Sequence, residues 1–269
     1  MSISLVISDV DGTLVNKAKE LTDGTVAAVK RLEAAGLPFT VISARPPSGI
    51  GWIAEKLALG TPIAAFNGGT IIGADGQVIE RHVLDEAAVR QSFEVAKGSG
   101  ATPWLFAGGI WHCPDTDNPH VPHEVLSAGQ QPTIRQDMTD LFGDVDKLTW
   151  VSDEPELLAR LEAEMKARIG EAATIARSQT YYLDLTHPTA NKGNGVETLA
   201  RIAGIDLADV AVLGDMPNDL PMFRRAGLAI AMGQAPDEVK AEARYTSTSN
   251  DQDGVAHAID AILLPMLKA

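Results

Sequence analysis

The stretch Leu5-Val6-Ile7-Ser8-Asp9-Val10-Asp11-Gly12-Thr13-Leu14 decides the fold of this chain. Its first residues, Leu5–Ile7, are apolar and mostly β-branched, which is typical of a strand buried on both faces. Asp9 and Asp11 follow where that strand ends, and open parallel sheets bind ligands at this end of their strands. Two close carboxylates repel each other unless a cation or phosphate chemistry uses them. The stretch therefore predicts a binding site, the alternative being a strand followed by an exposed Asp-Gly turn.

Composition limits the class of protein. The chain has 269 residues, enough for two units, and 45% are hydrophobic and 22% charged, as in ordinary globular proteins. Its net charge of −14 disfavours nucleic acid and anionic membranes as general partners. The single cysteine, Cys113, excludes an internal disulfide and is typical of a reducing compartment. The amino-terminal apolar run is broken by Asp9 and has no basic region, and no apolar run reaches the ~20 residues that span a bilayer. We therefore expect a soluble, cytoplasmic protein without a signal peptide.

Strand and helix signals alternate at the start of the chain and again near its end, which predicts βαβ units and a parallel sheet. In the first part we expect a helix between Thr22 and Gly36, a strand over Pro38–Ala44, a helix over Ile50–Leu57, a strand over Pro62–Phe66, and a hairpin of Thr70–Ile72 and Val78–Ile79. In the last part we expect helices over Gly195–Ala203, Leu220–Arg225, from Pro236 and over Val255–Leu267, and strands over Val210–Leu213 and Leu228–Met232.

The middle of the chain has a different pattern. Short strands are expected over Trp104–Phe106, Ile110–Cys113, Lys147–Val151, Thr174–Ala176 and Tyr181–Leu185, with helices over Asp85–Lys97 and Pro155–Ile169 and a loop rich in Pro, Asp and His after Cys113. These signals predict an α/β protein with a Rossmann-like parallel-sheet core, residues 1–84 and 184–269, and an inserted α+β unit, residues 85–183.

Polar residues that suit phosphoryl transfer follow the predicted core strands. The carboxylate of Asp9 can attack phosphorus, and Asp11 can move the proton of the leaving group. A hard cation such as Mg²⁺ can be held by Asp9, the carbonyl of Asp11 and Asp215, while Lys192 and Ser43 neutralise and orient phosphate oxygens. Each residue alone has an ordinary explanation: a strand-end hydroxyl, a surface lysine, a turn or a helix cap.

The joint pattern resembles the haloacid dehalogenase-like hydrolases of the Cof type, which carry a large α/β cap between their second and third motifs. The resemblance covers nearly the whole chain through DVDGT (Asp9 to Thr13), SAR (Ser43 to Arg45), FNGG (Phe66 to Gly69), NKG (Asn191 to Gly193), GDMPNDLPM (Gly214 to Met222), AGLAIAMGQAPDEVKAEA (Ala226 to Ala243) and SNDQDGVAHAI (Ser249 to Ile259). One departure is Ser43-Ala44-Arg45, where relatives usually have Thr-Gly-Arg; serine keeps the hydroxyl.

The resemblance implies roles for individual residues. Asp9 is implied as the nucleophile and Asp11 as the acid and base. The implied phosphate- and substrate-binding set is Ser43, Ala44, Arg45, Asn67, Gly68, Lys192 and Asn218. The implied ligands of Mg²⁺ are Asp9, Asp11, Asp215 and Asp219.

Two other groups of residues suggest functions that we disfavour. His112, Cys113, His120 and His123 match no zinc spacing, so a hairpin and loop is the better interpretation. Trp104, Phe106 and Trp111 suit a sugar-stacking face, but a small core is the commoner use of such aromatics.

We therefore expect a phosphatase that hydrolyses a small phosphorylated metabolite, with a sugar phosphate as the expected class, through an aspartyl-phosphate. The alternatives are a phosphohexomutase, which uses the same nucleophile, and a phosphosugar-binding regulator with vestigial activity. The intact set of site residues argues against the regulator. The inserted unit is expected to select the substrate, with Arg177 as a candidate contact.

Overall fold

The structure, a computed structural model, describes residues 3–267. Its strands are β1 (Leu5–Asp9), β2 (Phe39–Ile42), β3 (Ile63–Ala65), β4 (Thr70–Ile72), β5 (Val78–Arg81), β6 (Thr102–Ala107), β7 (Ile110–Cys113), β8 (Thr133–Ile134), β9 (Val145–Val151), β10 (Thr174–Gln179), β11 (Tyr182–Thr186), β12 (Val210–Gly214), β13 (Leu228–Ala231) and β14 (Tyr245–Thr246). Its α-helices are α1 (Asp23–Ala34), α2 (Pro47–Leu57), α3 (Glu86–Ala96), α4 (Val121–Ala128), α5 (Pro155–Ile169), α6 (Lys192–Ala203), α7 (Leu220–Phe223), α8 (Asp237–Ala241), α9 (Gly254–Ala258) and α10 (Leu264–Met266).

The chain divides into two compact units. The first contains the described residues up to Ala44, the segment Ile50–Ile79 and the residues from Asn191 onwards. The second contains Glu80–Ala190 together with the short segment Arg45–Gly49. The sequence-based division places that short segment, and also residues 80–84 and 184–190, in the core, whereas the structure groups them with the second unit.

The first unit is built on a sheet with the strand order β14-β13-β12-β1-β2-β3-β4-β5. The strands from β14 to β3 pair in parallel, and β4 pairs antiparallel with β3 at one side. All five residues of β1 are buried, because this strand is central and apolar neighbours cover both of its faces. The predicted α/β class with a parallel-sheet core is therefore confirmed.

Side-chain caps mark the first residues of two helices in this unit, α1 and α6. The hydroxyl of Thr22 accepts a hydrogen bond from the backbone N–H of Thr25 and caps α1, as predicted. At α6 the side chain of Asn191 accepts from the N–H of Asn194 at 3.0 Å. This cap starts α6 at Lys192, three residues before the predicted start, so Lys192 lies in the first turn instead of preceding the helix.

The carboxyl-terminal helix is present but irregular. A π-helical segment, Ile259–Leu263, joins α9 to α10, and α9 packs against α1. The predicted helix over Val255–Leu267 is confirmed with this local widening.

The second unit contains a six-stranded sheet with the order β10-β11-β9-β6-β7-β8. One face packs on α3 and α5 through a buried apolar core that includes Leu105, Leu148 and Leu183. Since side chains alternate along a strand, the opposite face carries the neighbouring positions. Trp104, Phe106 and Trp111 are on that face and are all buried, which confirms them as core aromatics.

One helix of the second unit was missed. Val121–Ala128 forms α4 inside the stretch that the sequence predicts as a loop. Its second residue is a proline, which suits a first helical turn, and Gly129 ends it with a φ of 65°. The helix is short, so its periodicity is hidden among the surrounding Pro, Asp and His residues. Within residues 3–267 no helix has the length and apolarity needed to cross a membrane.

Candidate active site

Neighbouring strands of the first unit deliver Asp9 and Asp215 to the same edge of the sheet. Asp9 is the last residue of β1, and Asp215 directly follows β12, which pairs in parallel with β1. Both side chains are buried. Ser43 directly follows β2, on the other side of β1, and is also buried. The sheet topology thus brings together three of the residues that the sequence predicts, as expected for the carboxyl ends of parallel strands.

Lys192 joins the two acids of this edge that lie farthest apart in the chain. Its Nζ atom lies 2.5 Å from Oδ1 of Asp9 and 2.5 Å from Oδ1 of Asp219. All three side chains are buried, with exposures of 5% or less. A surface lysine is therefore excluded. Breaking such a buried pair from one side costs about 3–5 kcal/mol, so the three groups are held as one unit.

Asp219 organises the loop after β12. One oxygen, Oδ2, accepts hydrogen bonds from the backbone N–H groups of Asp215 and Met216 at 2.8 and 2.9 Å. The other oxygen accepts from Lys192. These hydrogen bonds tie the backbone at Asp215 and Met216 to Asp219 and thereby hold the loop that carries Asp215.

Asp215 is held by polar contacts and by a glycine. Oδ1 accepts from the hydroxyl of Thr13 at 3.2 Å, and Oδ2 accepts from the amide of Gln234 at 3.3 Å. Gly12 has a φ of +77°, and a Cβ atom there would lie 2.8 Å from Cγ of Asp215. The glycine of the DVDGT motif is therefore required both for its backbone conformation and for the space that the carboxylate occupies.

The carboxylates form a group that suits a cation. Within residues 3–267, the group of three or more His, Cys, Asp or Glu side chains placed to hold a metal ion is Asp9, Asp215 and Asp219, with one oxygen of each within 4.8 Å of the others. The carboxylate of Asp11, predicted as a fourth ligand, is outside this group. It instead accepts from Nζ of Lys19 at 2.5 Å. The predicted contribution of the Asp11 carbonyl stays a prediction.

Burial and the proximity of like charges raise the pKa values of two acids in this group, Asp9 and Asp215. Burial raises the pKa of Asp9 to about 8, although Lys192 opposes the shift. Burial and the charge of Asp219 raise the pKa of Asp215 to about 6. Burial by itself disfavours the ammonium of Lys192, but Asp219 and Asp9 outweigh it and raise the pKa of this lysine. One ammonium therefore faces three carboxylates, and this excess of negative charge favours a bound cation.

Some of the predicted phosphate-binding residues, Ser43, Asn67 and Gly68, lie close to one another or to α6. The backbone N–H of Asn67 donates to the carbonyl of Ser43 at 2.7 Å. Asn67 has a φ of 59°, and its buried Oδ1 atom has no hydrogen-bond partner in the described part of the chain. Gly68 lies against α6, because a Cβ atom there would be 2.6 Å from Cα of Gly195. These contacts place the FNGG segment beside the amino terminus of α6.

Three other predicted residues are placed differently. Ala44 and Asn218 are exposed. Arg45 is buried and donates to the carbonyl of Gly49 at 3.1 Å within the segment that groups with the second unit. The structure therefore does not show these three side chains as part of the acidic group, and their binding roles stay predictions.

The second unit carries polar residues that the sequence analysis missed. On the sheet face opposite α3 and α5, Nζ of Lys147 lies 3.1 Å from Oδ2 of Asp184, and the hydroxyl of Tyr182 donates to Glu124 of α4 at 3.3 Å. Although burial opposes it, the carboxylates of Asp184 and Glu124 raise the pKa of Lys147. The signal that could have found these residues is polar residues alternating with apolar ones along β9 and β11.

The side chains that the sequence did single out in this unit have other partners. Arg177 pairs with Glu162 of α5 at 2.9 Å, so its guanidinium is engaged by the helix. His120 stacks on Tyr181 with a centroid distance of 3.8 Å. The thiol of Cys113 donates to the carbonyl of Asp115, and burial raises its pKa to about 11.

Comparisons of the sequence and of the structure with known proteins point to one family. Residues 6–259 match the model of the haloacid dehalogenase-like hydrolases. A 5-amino-6-(5-phospho-D-ribitylamino)uracil phosphatase of Bacillus subtilis is 28% identical over 288 aligned positions, which cover 95% of this chain and 96% of that protein. A haloacid dehalogenase-like hydrolase from Bacteroides thetaiotaomicron superposes with a TM-score of 0.90 at 30% identity, covering 97% of this chain and 100% of that one.

A further structure supports the fold alone. The subclass IIB sugar phosphatase BT4131 superposes with a TM-score of 0.81 at 22% identity over 97% of this chain and 99% of that one. The family match and the phosphatase-named relatives confirm the predicted family and the predicted class of enzyme. The chain is therefore an enzyme of the haloacid dehalogenase-like hydrolase family.

Proposed function

We propose that this hydrolase is a Mg²⁺-dependent phosphatase that cleaves a small phosphorylated metabolite through an aspartyl-phosphate on Asp9. The observation that carries the proposal is the buried ammonium of Lys192 between Asp9 and Asp219, beside Asp215, at the end of the central strand. Such a group joins a nucleophile, a fixed positive charge and cation ligands, which phosphoryl transfer requires.

The donor set fits Mg²⁺. All three side chains of the group offer carboxylate oxygens, which are the ligands of hard cations, and none offers sulfur or imidazole. Asp9 and Asp215 would hold the ion, with Asp219 completing the negative field and holding Lys192 in place. When bound, Mg²⁺ offsets the repulsion between the carboxylates and the phosphate.

The residues divide the chemistry between them. The Asp9 oxygen forms a bond to phosphorus as the bond from phosphorus to the ester oxygen breaks, and Asp11 gives its proton to that oxygen. Water then attacks phosphorus, the bond from Asp9 to phosphorus breaks, and Asp11 takes a proton of the water. Lys192 and the hydroxyl of Ser43 bind and orient the phosphate oxygens through both steps.

We propose a phosphorylated sugar or sugar alcohol as the substrate class. A relative that matches over nearly the full chain is named for a 5-phospho-ribityl substrate. In the second unit, Lys147 and Asp184 present an ammonium and a carboxylate on one sheet face, and such groups suit the hydroxyls of a polyol. We assign them as candidate contacts in place of Arg177, and the selection of substrate by the inserted unit stays part of this proposal.

The test is release of inorganic phosphate from a panel of phosphorylated metabolites with and without Mg²⁺. The panel contains sugar phosphates, sugar alcohol phosphates, nucleotides and phosphoserine, and Asp9→Asn prepared in the same way is the control. We expect release from sugar or sugar alcohol phosphates only when the cation is present. Transfer of the phosphoryl group to a second hydroxyl of the sugar without release would instead identify a phosphohexomutase.

A further inference from the structure

The loop that follows β1 contains a turn, Asn16 to Glu20, whose two ends are joined by hydrogen bonds. The backbone N–H of Lys19 donates to the carbonyl of Asn16 at 2.9 Å, and the N–H of Asn16 donates to the carbonyl of Glu20 at 3.1 Å. The side chains repeat the connection, because the N–H of Glu20 donates to Oδ1 of Asn16 at 2.9 Å and Nδ2 of Asn16 donates to Glu20 at 3.2 Å. The segment from Asn16 to Glu20 is therefore a fixed turn.

Lys19 occupies an unfavourable position in this turn. Its φ is 62°, in the left-handed region, which costs a residue with a side chain on the order of 1–3 kcal/mol. Its ammonium lies 2.5 Å from Oδ1 of Asp11, and both side chains are 34% exposed. A pair with this exposure contributes only about 0–1 kcal/mol to folding, so it does not offset the strain. Stability alone does not account for a lysine here.

We propose that Lys19 is a positioning residue for Asp11. This inference rests on the proposed function, in which Asp11 first protonates the ester oxygen and then deprotonates water. A carboxylate at a loop can turn between rotamers. The ammonium engages Oδ1 at 2.5 Å and thereby restricts the orientation in which Asp11 meets the leaving group and the water. In this proposal Lys19 acts only through Asp11.

The same loop offers a matched control. Lys17, two residues earlier, pairs with Asp251 at 3.2 Å, and its side chain is 82% exposed. Removing Lys17 changes the net charge of the loop by the same amount as removing Lys19. It leaves Asp11 untouched, so any effect of charge alone appears in both variants.

The experiment compares two substrates whose leaving groups differ in whether they must be protonated. An alkyl phosphate such as a sugar phosphate leaves as a poor alkoxide and depends on the acid, whereas p-nitrophenyl phosphate leaves without protonation. The values of kcat and KM are measured for both substrates with Lys19→Ala, Lys19→Arg, Lys17→Ala, Asp11→Asn and the double variant of Lys19→Ala with Asp11→Asn. Thermal unfolding of each variant verifies that it is folded.

We expect Lys19→Ala to lower kcat on the sugar phosphate by about tenfold to a hundredfold, as for a misplaced catalytic group, with little change of KM. The effect on p-nitrophenyl phosphate should be much smaller. Lys19→Arg should recover most of the loss, Lys17→Ala should show none, and the double variant should be no slower than Asp11→Asn. Equal losses on both substrates, a loss confined to KM, or full activity of Lys19→Ala would each overturn the role of Lys19. Rapid sugar phosphate hydrolysis by Asp11→Asn would overturn both the acid role of Asp11 and the role of Lys19, whereas absence of phosphate release from every substrate by the wild type would remove the proposed function itself.

Discussion

Nζ of Lys192 lies 2.5 Å from Oδ1 of Asp9, and both side chains are buried at the end of the central strand. The same ammonium also contacts Oδ1 of Asp219 at 2.5 Å, so one buried cation holds the carboxylates of Asp9 and Asp219 together. Because the side chain of Asp9 is only 5% exposed, its carboxyl group interacts with neighbouring charges in a site almost closed to water, where electrostatic interactions are strong.

The first prediction concerns Asp9 as the nucleophile. Asp9→Asn should abolish turnover, because an amide cannot form the acyl phosphate, while the variant folds normally. After an acid quench of the reacting enzyme, intact mass spectrometry should show one added phosphoryl group in the wild type and none in Asp9→Asn. Asp251→Asn, a change at an exposed acid, is the control. Turnover by Asp9→Asn near the wild-type rate contradicts the assignment.

The second prediction concerns the cation. The carboxylates of Asp9, Asp215 and Asp219 lie close together, and a bound phosphate would add to their negative charge, so EDTA should remove activity and added Mg²⁺ should restore it. Binding of Mg²⁺ measured by calorimetry should be weakened by Asp215→Asn and unaffected by Asp251→Asn. An enzyme that keeps full activity in EDTA contradicts the predicted site.

The third prediction concerns Asp215 and stability. Burial and the charge of Asp219 raise its pKa to about 6, so the ionised form destabilises the folded state above that pH. In EDTA at about pH 8, Asp215→Asn should increase the free energy of unfolding by roughly 1–3 kcal/mol. The amide oxygen can still accept from Thr13.

The sign of the effect is tested by pH. Near pH 4 the carboxyl is largely protonated in the folded state and partly so in the unfolded state, and the advantage of the variant should shrink. Urea unfolding at both pH values measures the difference. A variant that is less stable than the wild type at about pH 8 contradicts the prediction.

The fourth prediction concerns Gly12. Gly12→Ala should lower both activity and Mg²⁺ affinity, because the added Cβ atom meets the carboxylate of Asp215 in addition to straining the backbone. The control is Gly76→Ala, at a φ of +78° with no atom within 4 Å of the added Cβ, where backbone strain acts alone. Both variants should lose about 1–2 kcal/mol of stability. Equal activity of the two variants would show that the space near Asp215 is not needed.

The fifth prediction concerns the sheet face of the second unit. Asp184→Asn should change the ranking of phosphorylated substrates, because it removes the partner of Lys147 while keeping an acceptor for the hydroxyl of Thr149. Hydrolysis of p-nitrophenyl phosphate should change little. Asp140→Asn, at an exposed acid of the same unit, is the control. An unchanged ranking on the full substrate panel contradicts the assignment of this face.

The sequence determined the core of the fold because its signals there are local. The apolar run before Asp9 and the Thr22 cap each act over a few residues, and so does the Asp75-Gly76 pair that lies between the two predicted strands of the first hairpin. β1, α1 and the strands β4 and β5 form where these signals predict. The same holds for the convergence of Asp9 and Asp215, because adjacent parallel strands end at one edge whatever lies between them in the chain.

Only the tertiary structure decided which partner each charged group takes. The sequence placed Asp11 among the cation ligands and offered Arg177 as a substrate contact, but Lys19 and Glu162 engage these side chains. It also left α4 as a loop and did not single out Lys147 or Asp184. Ion pairs join residues that are distant in the chain, and their geometry depends on sheet register and on burial. A short motif encodes neither sheet register nor burial. The sequence therefore predicted the chemistry of the motif residues but not the partners of the charged groups around them.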